Sequence, residues 1–130
     1  MIFDTCFIID VMDGDEKAIS KLKDIVKRDI PQITTAISIF EIFSGMSRCN
    51  NPENEKRKII DVLENLLIAD IDNESAQKSG TIDGELIKTG KPIGVQDILI
   101  AGVALKRKDT LLTRNIKDFE RIKNLKIESY

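Results

Sequence analysis

Met1-Ile2-Phe3-Asp4-Thr5-Cys6-Phe7-Ile8-Ile9-Asp10 decides how the rest of this 130-residue chain is read. Met1, Ile2 and Phe3 form a short apolar run that predicts a buried strand, and Asp4-Thr5 ends it with residue types that favour helix N-termini. Asp4 then stands at the carboxyl end of a central strand. In open α/β sheets that edge is where strand ends and helix N-termini converge on a ligand. The same Asp is also an ordinary N-cap for a helix running from Phe7 to Met12, and this segment alone leaves both readings open.

The length is enough for one hydrophobic core, so a single domain over residues 1–130 is expected. With 42% hydrophobic and 32% charged residues the composition is that of a soluble globular protein. No apolar run nears the ~20 residues of a membrane span, and the N-terminus lacks a basic, apolar and small-residue leader pattern. No membrane association and a cytoplasmic address are therefore expected. Cys6 and Cys49 lack metal-ligand spacing and are expected to be reduced thiols.

The chain contains no histidine. That removes Ser-His-Asp and Cys-His catalysis and His-ligated zinc, and leaves carboxylates, hydroxyls, Lys, Arg and Tyr130 to carry any chemistry. A metal bound by oxygens alone points to Mg²⁺ or Mn²⁺. The net charge of −2 carries no overall signature of nucleic-acid binding, but residues 101–130 are locally basic, with Arg114 and Lys117 in that stretch.

Along the chain, apolar residues at helical spacing predict helices over Glu16 to Arg28, Ala36 to Met46, Lys56 to Leu67 and Glu74 to Lys88. Gln32 to Thr34, Leu67 to Ile71 and Leu111 to Thr113 read as further short strands. Arg48 to Asn54 reads as a loop. The helix over Ala36 to Met46 is apolar nearly all round and is expected to be buried on most of its surface, with Glu41 as its one charge. Ile98 to Leu105 is apolar on every side and is expected to be central, with Asp97 in its first turn.

Three acids thus differ from the rest by their surroundings: Asp4 at a strand end, Glu41 in an apolar helix, and Asp97 opening a buried one. Glu41 has an ion pair as its alternative, Asp97 has capping, and Asp10 reads as structural. If the first and fourth strands are parallel neighbours, Asp4 meets the Thr113 to Asp118 loop. Carboxylates packed together raise one another's pKa unless a cation joins them. One or two Mg²⁺ ions held this way support phosphodiester hydrolysis without histidine.

The chain resembles the PIN-domain ribonucleases, and in particular the VapC toxins of type II toxin-antitoxin pairs. The resemblance rests on Asp4-Thr5 followed by Phe7-Ile8-Ile9-Asp10, on Ile39-Phe40-Glu41-Ile42-Phe43-Ser44-Gly45, on Asp97-Ile98-Leu99-Ile100-Ala101, and on Leu111-Leu112-Thr113-Arg114-Asn115-Ile116-Lys117-Asp118-Phe119. It implies a PIN-like, Rossmann-like α/β/α sandwich with a central, mainly parallel sheet. It also implies a Mg²⁺- or Mn²⁺-dependent endoribonuclease leaving 5′-phosphate and 3′-hydroxyl ends. Asp4, Glu41 and Asp97 match the family's first three acids. At the fourth position some members carry an acid where this chain has Asn115, and others an acid three residues on; Asp118 is taken here. Thr5, Thr113 and Asn115 are expected as polar support, and Arg114 and Lys117 as contacts to the RNA backbone. The resemblance further implies a homodimer and a small antitoxin covering the pocket. Gly102, where Ala is common, is expected to be harmless to the chemistry. Two alternatives stand beside this reading: a housekeeping RNA-processing nuclease without an antitoxin, and an inactive metal- or RNA-binding module.

Overall fold

In a computed structural model describing residues Met1–Tyr130, the apolar start of the chain forms β1 (Ile2–Phe3), the middle strand of a five-stranded sheet. On one side lie β2 (Ile33–Thr35) and then β3 (Leu67–Ala69); on the other lie β4 (Leu111–Leu112) and then β5 (Ile127–Glu128). Every pairing is parallel. Ile2 sits opposite both Ile33 and Leu111, and Phe3 opposite Leu112. Each strand is only two or three residues long, so each contributes little more than one side chain to either face.

Those alternating side chains build two cores. Ile2 and Leu111 face a cluster completed by Leu86 of α5 (Asn73–Lys88), by Ile100, Ala101, Val103 and Ala104 of α6 (Val95–Arg107), and by Phe119 of α7 (Ile116–Phe119). Phe3 and Leu112 face the opposite way. They meet Phe7 and Ile8 of α1 (Thr5–Asp13), Ala18 and Ile25 of α2 (Glu16–Lys27), and Ile59 of α4 (Pro52–Leu63). The result is the expected α/β/α sandwich. The helix α3 (Ala36–Met46) serves both layers, with Ile37 in the first cluster and Ile42 in the second. No helix is long and apolar enough to cross a membrane.

Several local expectations change. The helix α1 begins at Thr5 rather than Phe7, because the Asp4 carboxylate accepts a hydrogen bond from the Thr5 amide and starts the helix there. Likewise α4 begins at Pro52, inside the stretch read as a loop, with the Asn51 side chain accepting from the Asn54 amide and proline at the first helical position. The strand β5 has no counterpart in the sequence reading. Its two residues are half-buried in a mixed-charge segment, and the Leu111 amide bonding to the Lys126 carbonyl and the Thr113 amide to that of Glu128 are what define it. The helix α3 is less enclosed than its composition implies: Ile37, Ser38 and Ile42 are buried, but Phe40 is 63% exposed. Most of its other residues are half-buried, and Phe40 is its one exposed residue.

Gly102 belongs to packing. The helices α5 and α6 approach so closely there that a Cβ would fall 2.0 Å from Ser79 Oγ and 2.7 Å from the Ser75 carbonyl oxygen. The serine hydroxyl can turn away, but the backbone oxygen cannot. Gly102→Ala is expected to lower the unfolding free energy by about 1–3 kcal/mol despite alanine's better helix propensity, and a urea titration checks it.

Candidate active site

The strand order reverses at β1. The first three strands proceed to one side of it, and β4 then lands on the other side, so the crevice at the carboxyl ends of β1 and β4 is the sheet's switch point. Asp4 follows β1 and Thr113 follows β4. Both are buried, Asp4 at 4% exposure and Thr113 at 0%. The Thr113 hydroxyl accepts from the Asn115 amide at 2.9 Å and donates to Asp4 Oδ2 at 2.6 Å. Cys6 Sγ donates to the same oxygen at 3.1 Å, while Oδ1 takes the Thr5 amide at 2.8 Å. Asp4 therefore caps α1 with one oxygen, as expected of an N-cap, while the other accepts from Thr113 and Cys6 at the strand end.

The other acids arrive from three different helices. Glu41 on α3 makes no ion pair; Glu41 Oε2 instead accepts from the Thr5 hydroxyl at 2.5 Å. Asp97, in the first turn of α6, accepts from Asn115 Nδ2 at 3.0 Å. Asp118 on α7 pairs with Arg121 at 3.4 Å. Burial above all, and then the charges of Asp4, Glu41 and Asp118, push the Asp97 carboxyl up to about 6, against a smaller opposing effect of the Asn115 hydrogen bond. Asp97 thus lies within electrostatic reach of the other three carboxylates. Asn115 and Asp118, the two residues at the fourth position, both reach the pocket, one by a hydrogen bond and the other by its charge. Lys117 is exposed, and the Arg114 side chain turns to Asp10.

The donors are carboxylate and hydroxyl oxygens, a set whose chemistry fits a hard divalent cation. As the side chains lie, no three of the acids stand in a metal-ligating arrangement. Thr113, Thr5 and Asn115 hold Asp4, Glu41 and Asp97, respectively, by hydrogen bonds.

Cys6 was anticipated only as a reduced thiol. It is free, and burial and the Asp4 charge raise its pKa, so it remains a protonated donor to the carboxylate. Its place in the first helical turn after Asp4 was the available signal. An apolar groove of 370 Å³ lies between α1, α2 and α4, lined by Phe3, Phe7, Val11, Leu22, Val62 and Leu66 among others. Its walls carry none of the four acids, so the chemistry belongs to the crevice and the groove suits a different role.

Known proteins share this fold and much of this sequence pattern. The family model for the PIN domain matches residues 1–125. The "tRNA(fMet)-specific endonuclease VapC" of Salmonella typhimurium is 31% identical over 96 residues, which are 74% of this chain and 73% of that protein. "Ribonuclease VapC2" of Haemophilus influenzae is 34% identical over 96 residues, with the same shares of each chain. A crystal structure of VapBC2 from Rickettsia felis bound to a DNA fragment from its promoter superposes with a TM-score of 0.92 at 28% identity, covering 100% of this chain and 99% of that one.

The raised Asp97 carboxyl gives stability a sign with pH. Between its ordinary value of 3.8 and about 6 the folded protein holds a proton that the unfolded chain has released. Metal-free stability therefore falls as pH rises through that window, and the cost of the ionised group is complete above it. Asp97→Asn is expected to stabilise the metal-free protein by about 1 kcal/mol at pH 7.5, after allowance for its partial contact with solvent, and to have no effect below pH 4. Denaturant melts in EDTA at the two pH values measure the difference.

Proposed function

The chain belongs to the PIN-domain family, in its VapC branch, and on that premise we propose that it is a metal-dependent endoribonuclease, the toxin of a VapBC-type pair. The observation that carries this reading is the convergence of four carboxylates from β1, α3, α6 and α7 at the sheet's switch point, in a chain that has no histidine. Asp4, Asp97, Glu41 and Asp118 would hold one or two Mg²⁺ or Mn²⁺ ions. A bound divalent cation supplies a water nucleophile at neutral pH and stabilises charge on the phosphate oxygens.

The chain's own residues prepare that chemistry. Thr113 and the Cys6 thiol hold Asp4 Oδ2 in one orientation, Thr5 does the same for Glu41, and Asn115 does so for Asp97. Side chains held by such bonds have less freedom to lose when a ligand arrives. Exposed Arg114 and Lys117, beside the pocket, supply cations for the RNA backbone. The products expected are 5′-phosphate and 3′-hydroxyl ends.

An antitoxin fits the apolar groove between α1, α2 and α4, whose lining would take the apolar face of a partner helix. A second copy would cover the open flank of α3 around Phe40. A cytoplasmic address accompanies an RNA substrate and reduced thiols.

The name of the Salmonella relative makes a tRNA(fMet) transcript the first substrate to assay. Cleavage is expected with Mg²⁺ or Mn²⁺ and none in EDTA. Asp4→Asn is expected to slow it by roughly two to three orders of magnitude while the melting temperature stays level or rises, since relief of carboxylate repulsion offsets the lost contact. An Asp4→Asn protein that cuts at the wild-type rate sinks the assignment. Co-expression with a small neighbouring reading frame, followed by co-purification and loss of cleavage, separates a toxin from a housekeeping nuclease.

A further inference from the structure

Asp10 lies on α1 six residues beyond Asp4 and is almost closed off, its side chain 10% exposed. Its two oxygens serve two residues from the far end of the chain. Oδ1 accepts Arg114 Nη2 at 2.9 Å, and Oδ2 accepts the Tyr130 hydroxyl at 2.6 Å. The Tyr130 ring packs edge-on against Phe7, with centroids 4.7 Å apart at 74°, and Phe7 packs in turn on Phe3 at 4.7 Å. The carboxylate is thus braced from the core outward, and one of its oxygens is already occupied when the guanidinium meets it.

Arg114 sits between the two residues that hold the catalytic acids. Thr113 donates to Asp4, Asn115 donates to Asp97, and the Arg114 amide itself donates to Cys6 Sγ at 3.5 Å. A guanidinium on that segment has a strong competing partner in the acidic pocket, and pairing there would neutralise the carboxylates. The Asp10 contact turns it the other way. The Arg114 side chain remains 55% exposed, and a guanidinium has five N–H donors, of which the Asp10 contact engages those of Nη2. The remaining donors match the fork geometry of a phosphate.

We propose that Asp10, braced by Tyr130, is a positioning residue for RNA binding: it holds the Arg114 guanidinium at the rim of the acidic pocket, away from the acids, where its free donors take a phosphate of the RNA strand. This rests on the ribonuclease reading, and it gives a function to an acid and a tyrosine that lie outside the pocket.

The test measures binding of a tRNA(fMet) transcript by the full chain in EDTA across a salt series, and KM and kcat for cleavage in Mg²⁺. Arg114→Ala is expected to weaken binding about tenfold and to reduce the salt slope by about 0.7–0.9, one phosphate contact. Asp10→Asn and Tyr130→Phe are each expected to weaken binding about three- to tenfold, felt in KM rather than kcat. Tyr130→Phe keeps the ring on Phe7 and changes no charge, so it guards against a folding defect. The double-mutant cycle decides. If Asp10 acts through Arg114, neither variant weakens binding further in the Arg114→Ala background; losses that add in full show a merely structural role and overturn the proposal. Wild-type affinity or salt slope in Arg114→Ala, or wild-type affinity in Asp10→Asn, overturns it as well while leaving the ribonuclease reading standing. A wild-type protein that neither binds nor cuts RNA removes both.

Discussion

A carboxylate buried at the end of the central strand is the constraint around which this molecule is arranged. An ionised group taken out of water must be repaid in hydrogen bonds, and Asp4 collects them from three directions: its own helix at Thr5, the thiol one turn in at Cys6, and the end of the neighbouring strand at Thr113. The Thr113 bond spans 109 residues and ties β4 to β1 at the point where the strand order reverses. The contact that satisfies the charge is therefore the same one that closes the sheet over the crevice.

From that arrangement the electrostatics follow. Four helices or helix starts aim acids at one space, and only one of those acids has a cationic neighbour, Asp118 beside Arg121. Burial first, and then the charges of the other three acids, make the Asp97 carboxyl hold its proton to a higher pH than an isolated aspartate. Arg114 pairs with Asp10 rather than with any of the four acids.

Much of the fold was legible because short parallel strands alternating with helices leave local signals: apolar runs ended by cap residues, and amphipathic stretches between them. The central helix α6 stood out by being apolar all round, and it is buried as that pattern implies. The same criterion overstated the burial of α3, because composition reports what a helix has to hide and not how much of it this chain covers. The strand β5 left no trace, since two residues with no period become a strand only when a distant partner supplies the ladder. Gly102 appeared as a neutral variation until α5 was seen to pass directly over it.

By itself the sequence narrowed the chemistry and marked the elements that would deliver it: without histidine, and with acids at a strand end and in two apolar helices, any metal site would have oxygen ligands. Asp4, Glu41 and Asp97 are distinguishable along the chain because local surroundings set them apart, whereas Asp118 was singled out only through the family resemblance. Which oxygen of Asp4 faces the crevice, and which residues steady each acid, were decided by tertiary structure alone. So was the link from Asp10 to Arg114 and Tyr130. Apart from the local Thr5 and Cys6 bonds to Asp4, those are contacts across 18 to 120 residues of chain, and the direction of a side chain across such a distance is set by packing, of which no local pattern carries a record.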